Sequence, residues 1–178
     1  TLLFFAPAVT MRLFAEEKRS GTIELLRTSP VKDIEIVLGK FCASLILYLA
    51  MLATTLFYPF LILPFGKVDI GQMVSTYIGM ILLGSAFLSF GLMVSSMTRN
   101  QIVSALTSFG VLLLFWIISS FADRTGSLNR FFKYLSLTEH LKDFTRGVIV
   151  IKDIIYYSSF TLICIFLTIK SIESEKWK

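Results

Sequence analysis

Three long stretches without a charged side chain constrain this sequence more than any other feature. Residues 41–66, 70–98 and 100–122 contain no Asp, Glu, Lys or Arg. An α-helix rises about 1.5 Å per residue, so roughly 20 apolar residues cross a hydrocarbon core about 30 Å thick. Each stretch is long enough to cross, and a core helix of a soluble protein does not need this length. The sequence therefore predicts an integral membrane protein.

The composition agrees with this class and excludes nucleic-acid binding as the reason for the positive charge. Hydrophobic residues make up 55% of the chain and charged residues 16%, which lies outside the soluble range. The 17 basic residues exceed the 12 acidic ones, but they lie mainly between apolar runs, where they fix topology and meet lipid head groups. No basic stripe with interleaved aromatic residues is present. We therefore expect a lipid bilayer as partner and no nucleic acid.

The apolar runs divide a single domain, residues 1–178, into membrane spans and two polar connections. We predict an all-α membrane protein, a polytopic helical bundle with about five transmembrane helices. Because the chain begins inside an apolar run too short to span, we expect an N-terminally truncated chain that starts within an upstream helix. The predicted spans are about 1–14 (partial), 41–63, 72–97, 102–121 and 154–170, with a polar segment at 15–40 and an amphipathic excursion at 122–152. Cys42 and Cys164 lie in predicted spans and are interpreted as inert thiols.

The connections carry unequal numbers of Lys and Arg, and this inequality predicts the orientation. Ten lie on the side of residues 15–40 and seven on the other side. Because cytoplasmic loops carry the excess of Lys and Arg, the segment at 15–40 and the C-terminus are predicted to lie in the cytoplasm.

The polar segment reads as a short helix held between two longer ones. Gly21 is placed to end the helix that leaves the membrane, and Thr22 to cap a new short helix. Pro30 at a first helical position, with Ser29 as its cap, predicts the start of the next helix. The short helix presents apolar side chains outside the bilayer. Two interpretations stay open on the residues alone: the helix lies on the membrane interface, or it docks into a groove on a soluble subunit.

Three passages resemble ABC-2 type transporter permeases. They are residues 14–31, residues 95–101 and the stretch 135–149. The resemblance covers nearly the whole chain and is nearest to the branch of gliding-motility and copper-site-maturation exporters. It implies a six-helix membrane subunit of which helices two to six are present. It also implies that the short helix is a cytoplasmic coupling helix seated in a separate ABC ATPase subunit, with the acidic side chains available to pair with basic residues there. The implied coupling residues are Glu16, Glu17, Gly21, Thr22, Ile23, Glu24, Leu25, Leu26, Arg27, Ser29 and Pro30.

Small residues recur at four-residue spacing in two predicted spans, which allows two helix backbones to approach closely. Packing within the chain is the first interpretation, and contact with a second subunit or a substrate path are the alternatives. No charged residue lies at the middle of a span, so no ion-coupled mechanism is indicated. The candidate packing residues are Ser75, Gly79, Ser85, Ser89, Gly91, Ser95, Ser104 and Ser108.

The excursion at 122–152 is predicted to form two short amphipathic helices. Apolar residues recur on one face from Leu128 to Leu135, and Ser136 begins a capping box that leads into a second apolar face ending at Gly147. Such helices should lie in the interface or dip back into the bilayer, and the resemblance places a re-entrant helical pair on the extracellular side. His140 is interpreted as interfacial and not as a metal ligand, because metal sites need three or four converging ligands.

No catalytic motif is present, so the predicted function is transport and not an enzymatic reaction. A phosphate-binding loop would need a glycine upstream of Gly39-Lys40 or Gly66-Lys67, and none is placed there. We expect no cofactor on this chain, with ATP and Mg on the partner subunit. The resemblance implies the permease subunit of an exporter in a bacterial-type inner membrane, which forms a homo- or heterodimer with a second permease. The alternatives are a non-transporting membrane scaffold that partners an ATPase and a membrane-embedded enzyme.

Overall fold

The fold is helical throughout the part of the chain that the structure describes. The computed structural model describes residues 2–22, 31–62, 69–122 and 136–175. Within these ranges it contains helices and no strand, which confirms the predicted all-α class. In chain order the helices are α1 Leu2–Ser20, α2 Asp33–Thr55, α3 Phe57–Ile62, α4 Ile70–Met97, α5 Gln101–Ala122, α6 Leu137–Thr145 and α7 Ile151–Glu175.

Three of these helices are long and apolar enough to cross a membrane. They are α2, α4 and the portion Ile151–Ser174 of α7, and the portion Gln101–Ile117 of α5 is a shorter apolar helix. Their length and composition, in the part of the chain described, support the predicted polytopic membrane protein.

Helix α2 differs from its prediction at both ends. It begins at Asp33 and not at Pro30, because residues 31 and 32 are not helical. The Glu35 carboxylate accepts the Lys32 N–H at 3.2 Å, and acidic residues in a first turn favour a helix start. The helix then stops at Thr55, so the span expected at 41–63 consists of α2 followed by the short α3. Pro59 explains the stop, since it has no N–H to donate to the carbonyl four residues earlier.

Helix α4 is the centre of the bundle and packs on α1, α2, α5, α6 and α7. In its most apolar window 67% of residues are buried, against 28% for α2 and 22% for α7. Its start is capped by the Asp69 carboxylate, which accepts the Gly71 N–H at 2.9 Å and the Gln72 N–H at 3.3 Å. A helix surrounded by protein must make its contacts with other helices, whereas α2 and α7 leave apolar faces open to hydrocarbon.

Helices α1, α4 and α7 run in one direction, and α2 and α5 run in the other. The Phe14 N–H of α1 donates to the Ser95 hydroxyl near the end of α4. The Ser171 hydroxyl, near the end of α7, donates to the Ser96 carbonyl of α4. By contrast, Thr55 at the end of α2 bonds Tyr77 near the start of α4. The bundle therefore has a Ser95 end, where α1, α4 and α7 finish, and an opposite Asp153 end. The described parts of the connections counted above on the cytoplasmic side lie together at the Ser95 end.

Candidate functional site: the Ser95 end of the bundle

Helix α1 ends where the sequence predicts, at the start of the segment with the implied coupling role. It ends at Ser20, and Gly21 has φ +74°, a left-handed conformation that glycine adopts without the penalty of a Cβ. The Thr22 hydroxyl lies 2.9 Å from the Ser20 hydroxyl and donates to the Glu17 carbonyl at 3.5 Å. The chain thus turns sharply as it leaves the bundle.

An ion pair joins α1 to α2 at the base of this segment. Lys40 Nζ lies 2.5 Å from Glu17 Oε1, donates to the Leu13 carbonyl at 2.6 Å and lies 4.9 Å from the centre of the Phe14 ring. Glu17 therefore faces the bundle, although sequence reasoning made it available to an ATPase. Its other oxygen, Oε2, is buried without a hydrogen-bond partner among the described residues. The two helices that flank residues 21–32 are held together at their base.

Ser95 fixes the last turns of α1 to the end of α4. Its hydroxyl accepts the N–H groups of Phe14 and Ala15 and donates to the Met11 carbonyl, each at 3.2 Å. The residue is fully buried, so these bonds form in a dry environment where an unsatisfied group is costly. Ser95 is one of the small residues singled out in the sequence, and here it supplies hydrogen bonds as well as space.

A second junction lies one residue further along α4. The Ser96 carbonyl accepts bonds from Lys18 of α1 and, at 3.2 Å, from the Ser171 hydroxyl of α7. Carbonyls in the last turn of a helix lack a partner within the helix, and a carbonyl oxygen can accept two hydrogen bonds. We call Lys18, Ser96 and Ser171 the Ser96 junction.

At two glycines of α4 that were predicted to allow close packing, another helix approaches the α4 backbone. A Cβ built on Gly91 would lie 2.1 Å from Thr10 Oγ1, so α1 packs directly on this backbone. A Cβ built on Gly79 would lie 2.7 Å from the Phe144 Cβ, so α6 packs there. At both places only the missing side chain gives the neighbouring helix room.

A third close approach, at Gly84, was missed in the sequence. A Cβ there would lie 2.2 Å from the Tyr48 ring, whose hydroxyl donates to the Met80 carbonyl at 2.8 Å. Gly84 has no small residue four positions away that would have revealed it, since Met80 and Leu88 occupy those places.

The remaining small residues differ in their hydrogen bonds. Ser85 and Ser89 donate to carbonyls three residues earlier in α4, at 2.7 and 2.9 Å. The hydroxyls of Ser75, Ser104 and Ser108 are buried without a partner among the described residues. These three residues therefore supply close packing in the bundle, with no hydrogen bond to another described helix.

Most of the implied coupling residues lie outside the described residues. Glu16 is exposed on α1, Glu17 is bonded to Lys40, and Gly21 and Thr22 lie at the turn. Ile23, Glu24, Leu25, Leu26, Arg27, Ser29 and Pro30 belong to residues 23–30, which the structure does not describe. The first predicted amphipathic helix, at 128–135, also lies outside the described residues.

The Asp153 end contains a buried ionisable pair that sequence reasoning missed. His140 of α6 lies with Nδ1 2.5 Å from the Asp153 carboxylate of α7, and its ring stacks on Tyr156 with centroids 4.2 Å apart. The Tyr157 hydroxyl donates to the Leu137 carbonyl at 2.5 Å. His140 was expected to be interfacial with respect to the membrane, which stays a prediction; within the protein its side chain is buried against Tyr156 and Tyr157 of α7. The available signal was Asp153, an acidic residue at the start of an apolar helix. No group of three or more metal ligands occurs among the described residues.

The comparisons with known proteins agree with this architecture. The model of the ABC-2 family transporter proteins matches residues 2–169. No curated protein and no solved structure matches the chain. The match covers α1 to α6 and most of α7, so it includes both ends of the bundle. The chain therefore belongs to the ABC-2 family of transporter proteins, as a multi-pass membrane permease component of an ABC transporter.

Proposed function

We propose that this chain is the permease subunit of an ABC exporter and couples to a separate ATPase through residues 15–40. Family membership supports a transport component that works with an ABC ATPase. The Ser95 end supports the coupling role, because the segment at 21–32 leaves from two helices held together by the Lys40–Glu17 pair. When the two ends of a segment are held together, a displacement of the segment by a partner also displaces the bundle. A loosely attached loop would move without moving the helices.

Two permease subunits, identical or different, form the path, and two ATPases bind ATP and Mg, so this chain binds neither. Closing of the ATPases moves residues 15–40 and shifts the spans between inward and outward states. The Ser95 end faces the cytoplasm of a bacterial-type inner membrane, in agreement with the excess of Lys and Arg in its connections. The buried contacts of α1 and α7 with α4 are the surfaces through which the shift spreads.

The observation that carries the proposal is the Glu17–Lys40 ion pair, which joins α1 and α2 on either side of the coupling segment. The test is a double substitution in that segment. Leu25→Asp with Leu26→Asp places two charges on the face implied to dock. We expect loss of co-purification with the ATPase and loss of stimulated ATP hydrolysis, while membrane insertion is retained. Co-purification and rates of hydrolysis in detergent measure this.

A matched control places the same two charges at the other end of the bundle. Val148 and Ile149 are exposed apolar residues at the Asp153 end, and Val148→Asp with Ile149→Asp should leave the complex intact. If the Leu25/Leu26 variant still co-purifies with the ATPase at wild-type yield, the coupling role is refuted. If cysteines placed along residues 23–28 cross-link only to lipid, the interface interpretation is correct instead.

A further inference from the structure

The end of α4 is held by side chains from two other helices. Helix α4 finishes at Met97, so the carbonyls of its last turn have no partner in the helix. The Thr98 hydroxyl donates a hydrogen bond to the Val94 carbonyl at 3.2 Å. The Ser96 carbonyl accepts hydrogen bonds from Lys18 of α1 and Ser171 of α7. The hydrogen bonding of this helix end is thus supplied largely from outside it.

The position of Lys18 connects the segment at 21–32 to the end of α4. Lys18 lies three residues before Gly21, where α1 ends and residues 21–32 begin. A cation at the C-terminal end of a helix is also favoured by the helix dipole. A displacement of residues 21–32 therefore reaches Lys18 within one helical turn and acts on the end of the central helix. Ser171 brings α7 to the same oxygen.

We propose that Lys18 and Ser171 are positioning residues that transmit movement of residues 21–32 to α4 and α7 through the Ser96 carbonyl. The inference rests on the proposed function, since it assumes that an ATPase moves this segment. It differs from simple packing, because the bonds join three helices at one point beside the segment. A packing role would affect stability in every state, whereas a positioning role affects the response to nucleotide.

The test measures how nucleotide changes the accessibility of one cysteine far from the junction. Ser75 is buried near the Asp153 end of α4 and its hydroxyl has no partner among the described residues, so Ser75→Cys loses no hydrogen bond there. The background replaces Cys42 and Cys164 by Ala. The complex with its ATPase is reconstituted in nanodiscs, and labelling by a maleimide is timed without nucleotide and with ATP and vanadate. A ratio of the two rates of about 5 or more is expected, the lower limit typical of coupled sites.

Four variants separate positioning from packing. With Lys18→Met we expect the ratio to fall to about 1, with co-purification and thermal stability close to wild type, since the ammonium is lost and the aliphatic chain is kept. Lys18→Arg should restore the ratio, because it keeps a charged donor. Ser171→Ala should reduce the ratio as well, although Ser171 is on a different helix from the coupling segment. Lys170→Met is the matched control, because Lys170 is exposed and its contacts among the described residues, Glu173 at 2.7 Å and the Phe166 ring at 6.0 Å, lie in its own helix.

Each other outcome overturns the inference. A wild-type ratio retained in Lys18→Met shows that the junction transmits nothing. A ratio lost together with assembly or stability shows that Lys18 only packs. A loss in Lys18→Met alone, with Ser171→Ala at wild-type ratio, shows that Lys18 acts at the ATPase directly. A ratio of about 1 in the unsubstituted reporter refutes the movement itself, and with it the proposed function, whereas the other outcomes leave the proposed function intact.

Discussion

Gly84 provides the sharpest test of how the helices pack. A Cβ at this position would lie 2.2 Å from Cε1 and 2.5 Å from Cζ of Tyr48, whereas carbon atoms in contact are separated by about 3.5–4.0 Å. The ring would have to move by more than 1 Å on this distance scale. Tyr48 is fully buried and its hydroxyl is bonded to the Met80 carbonyl, so the ring has no free space and would lose this bond by moving. We expect Gly84→Ala to push α2 away from α4.

The expected loss of stability follows from two contributions. Overpacking of a well-packed site costs about 1–3 kcal/mol, and loss of an interhelical hydrogen bond in a membrane costs about 0.6 kcal/mol. Replacing a helical glycine by alanine recovers about 1 kcal/mol through helix propensity. Gly110→Ala isolates that gain, since a Cβ on Gly110 of α5 meets nothing within 4 Å. Because the propensity gain is the same in both variants, Gly84→Ala should be less stable than Gly110→Ala by the sum of the other two contributions, about 1.6–3.6 kcal/mol.

The assay is reversible unfolding in mixed micelles, followed by circular dichroism while the fraction of denaturing detergent is raised. A double-substitution cycle with Tyr48→Leu adds a check, because the shorter side chain makes room for the new methyl group. The two changes should then couple by about 0.5–3 kcal/mol, with Gly84→Ala costing less in the Tyr48→Leu background. Equal stability of Gly84→Ala and Gly110→Ala, or strict additivity with Tyr48→Leu, would refute the close approach of α2 and α4.

Two further predictions use the same unfolding assay. His140→Ala leaves the buried Asp153 carboxylate without its histidine partner and should cost about 3–5 kcal/mol, more than Asp153→Asn, which removes the carboxylate itself; equal losses would show that the carboxylate does not depend on His140. Ser95→Ala removes the three bonds to α1 and should cost about 2 kcal/mol, at about 0.6 kcal/mol per bond. Ser85→Ala should change little, since among the described residues its hydroxyl bonds within α4; identical unfolding curves for the two would show that the bonds to α1 contribute nothing.

Small residues illustrate where sequence reasoning worked in part. The spacing of Gly79 and Gly91 identified positions where α6 and α1 approach α4 closely. The same rule overlooked Gly84, because the partner at that point is a flat aromatic ring on α2 and not a second small residue. A spacing rule describes one helix, whereas a close approach depends on what the facing helix presents.

Charged residues were harder still to assign. Glu17 was expected to face a partner, but Lys40 of the following helix approaches to 2.5 Å. His140 and Asp153 are 13 positions apart and lie in different helices, so no local pattern joins them. Helix α2 begins at Asp33 and not at the predicted Pro30, although Ser29-Pro30 is a strong local signal for a helix start.

The sequence alone determined the class of this protein, the existence of its long helices and the end of α1 at Gly21. These properties are local: a bilayer selects any run of about 20 apolar residues, and a glycine can turn the chain wherever it stands. Tertiary structure alone decided that α4 is central, that Tyr48 lies on Gly84, and that Lys18 and Ser171 meet at the Ser96 carbonyl. In a membrane every helix face is apolar, so hydrophobicity does not select which faces meet. Shape and a few hydrogen bonds make that choice, and both exist only once the helices are together.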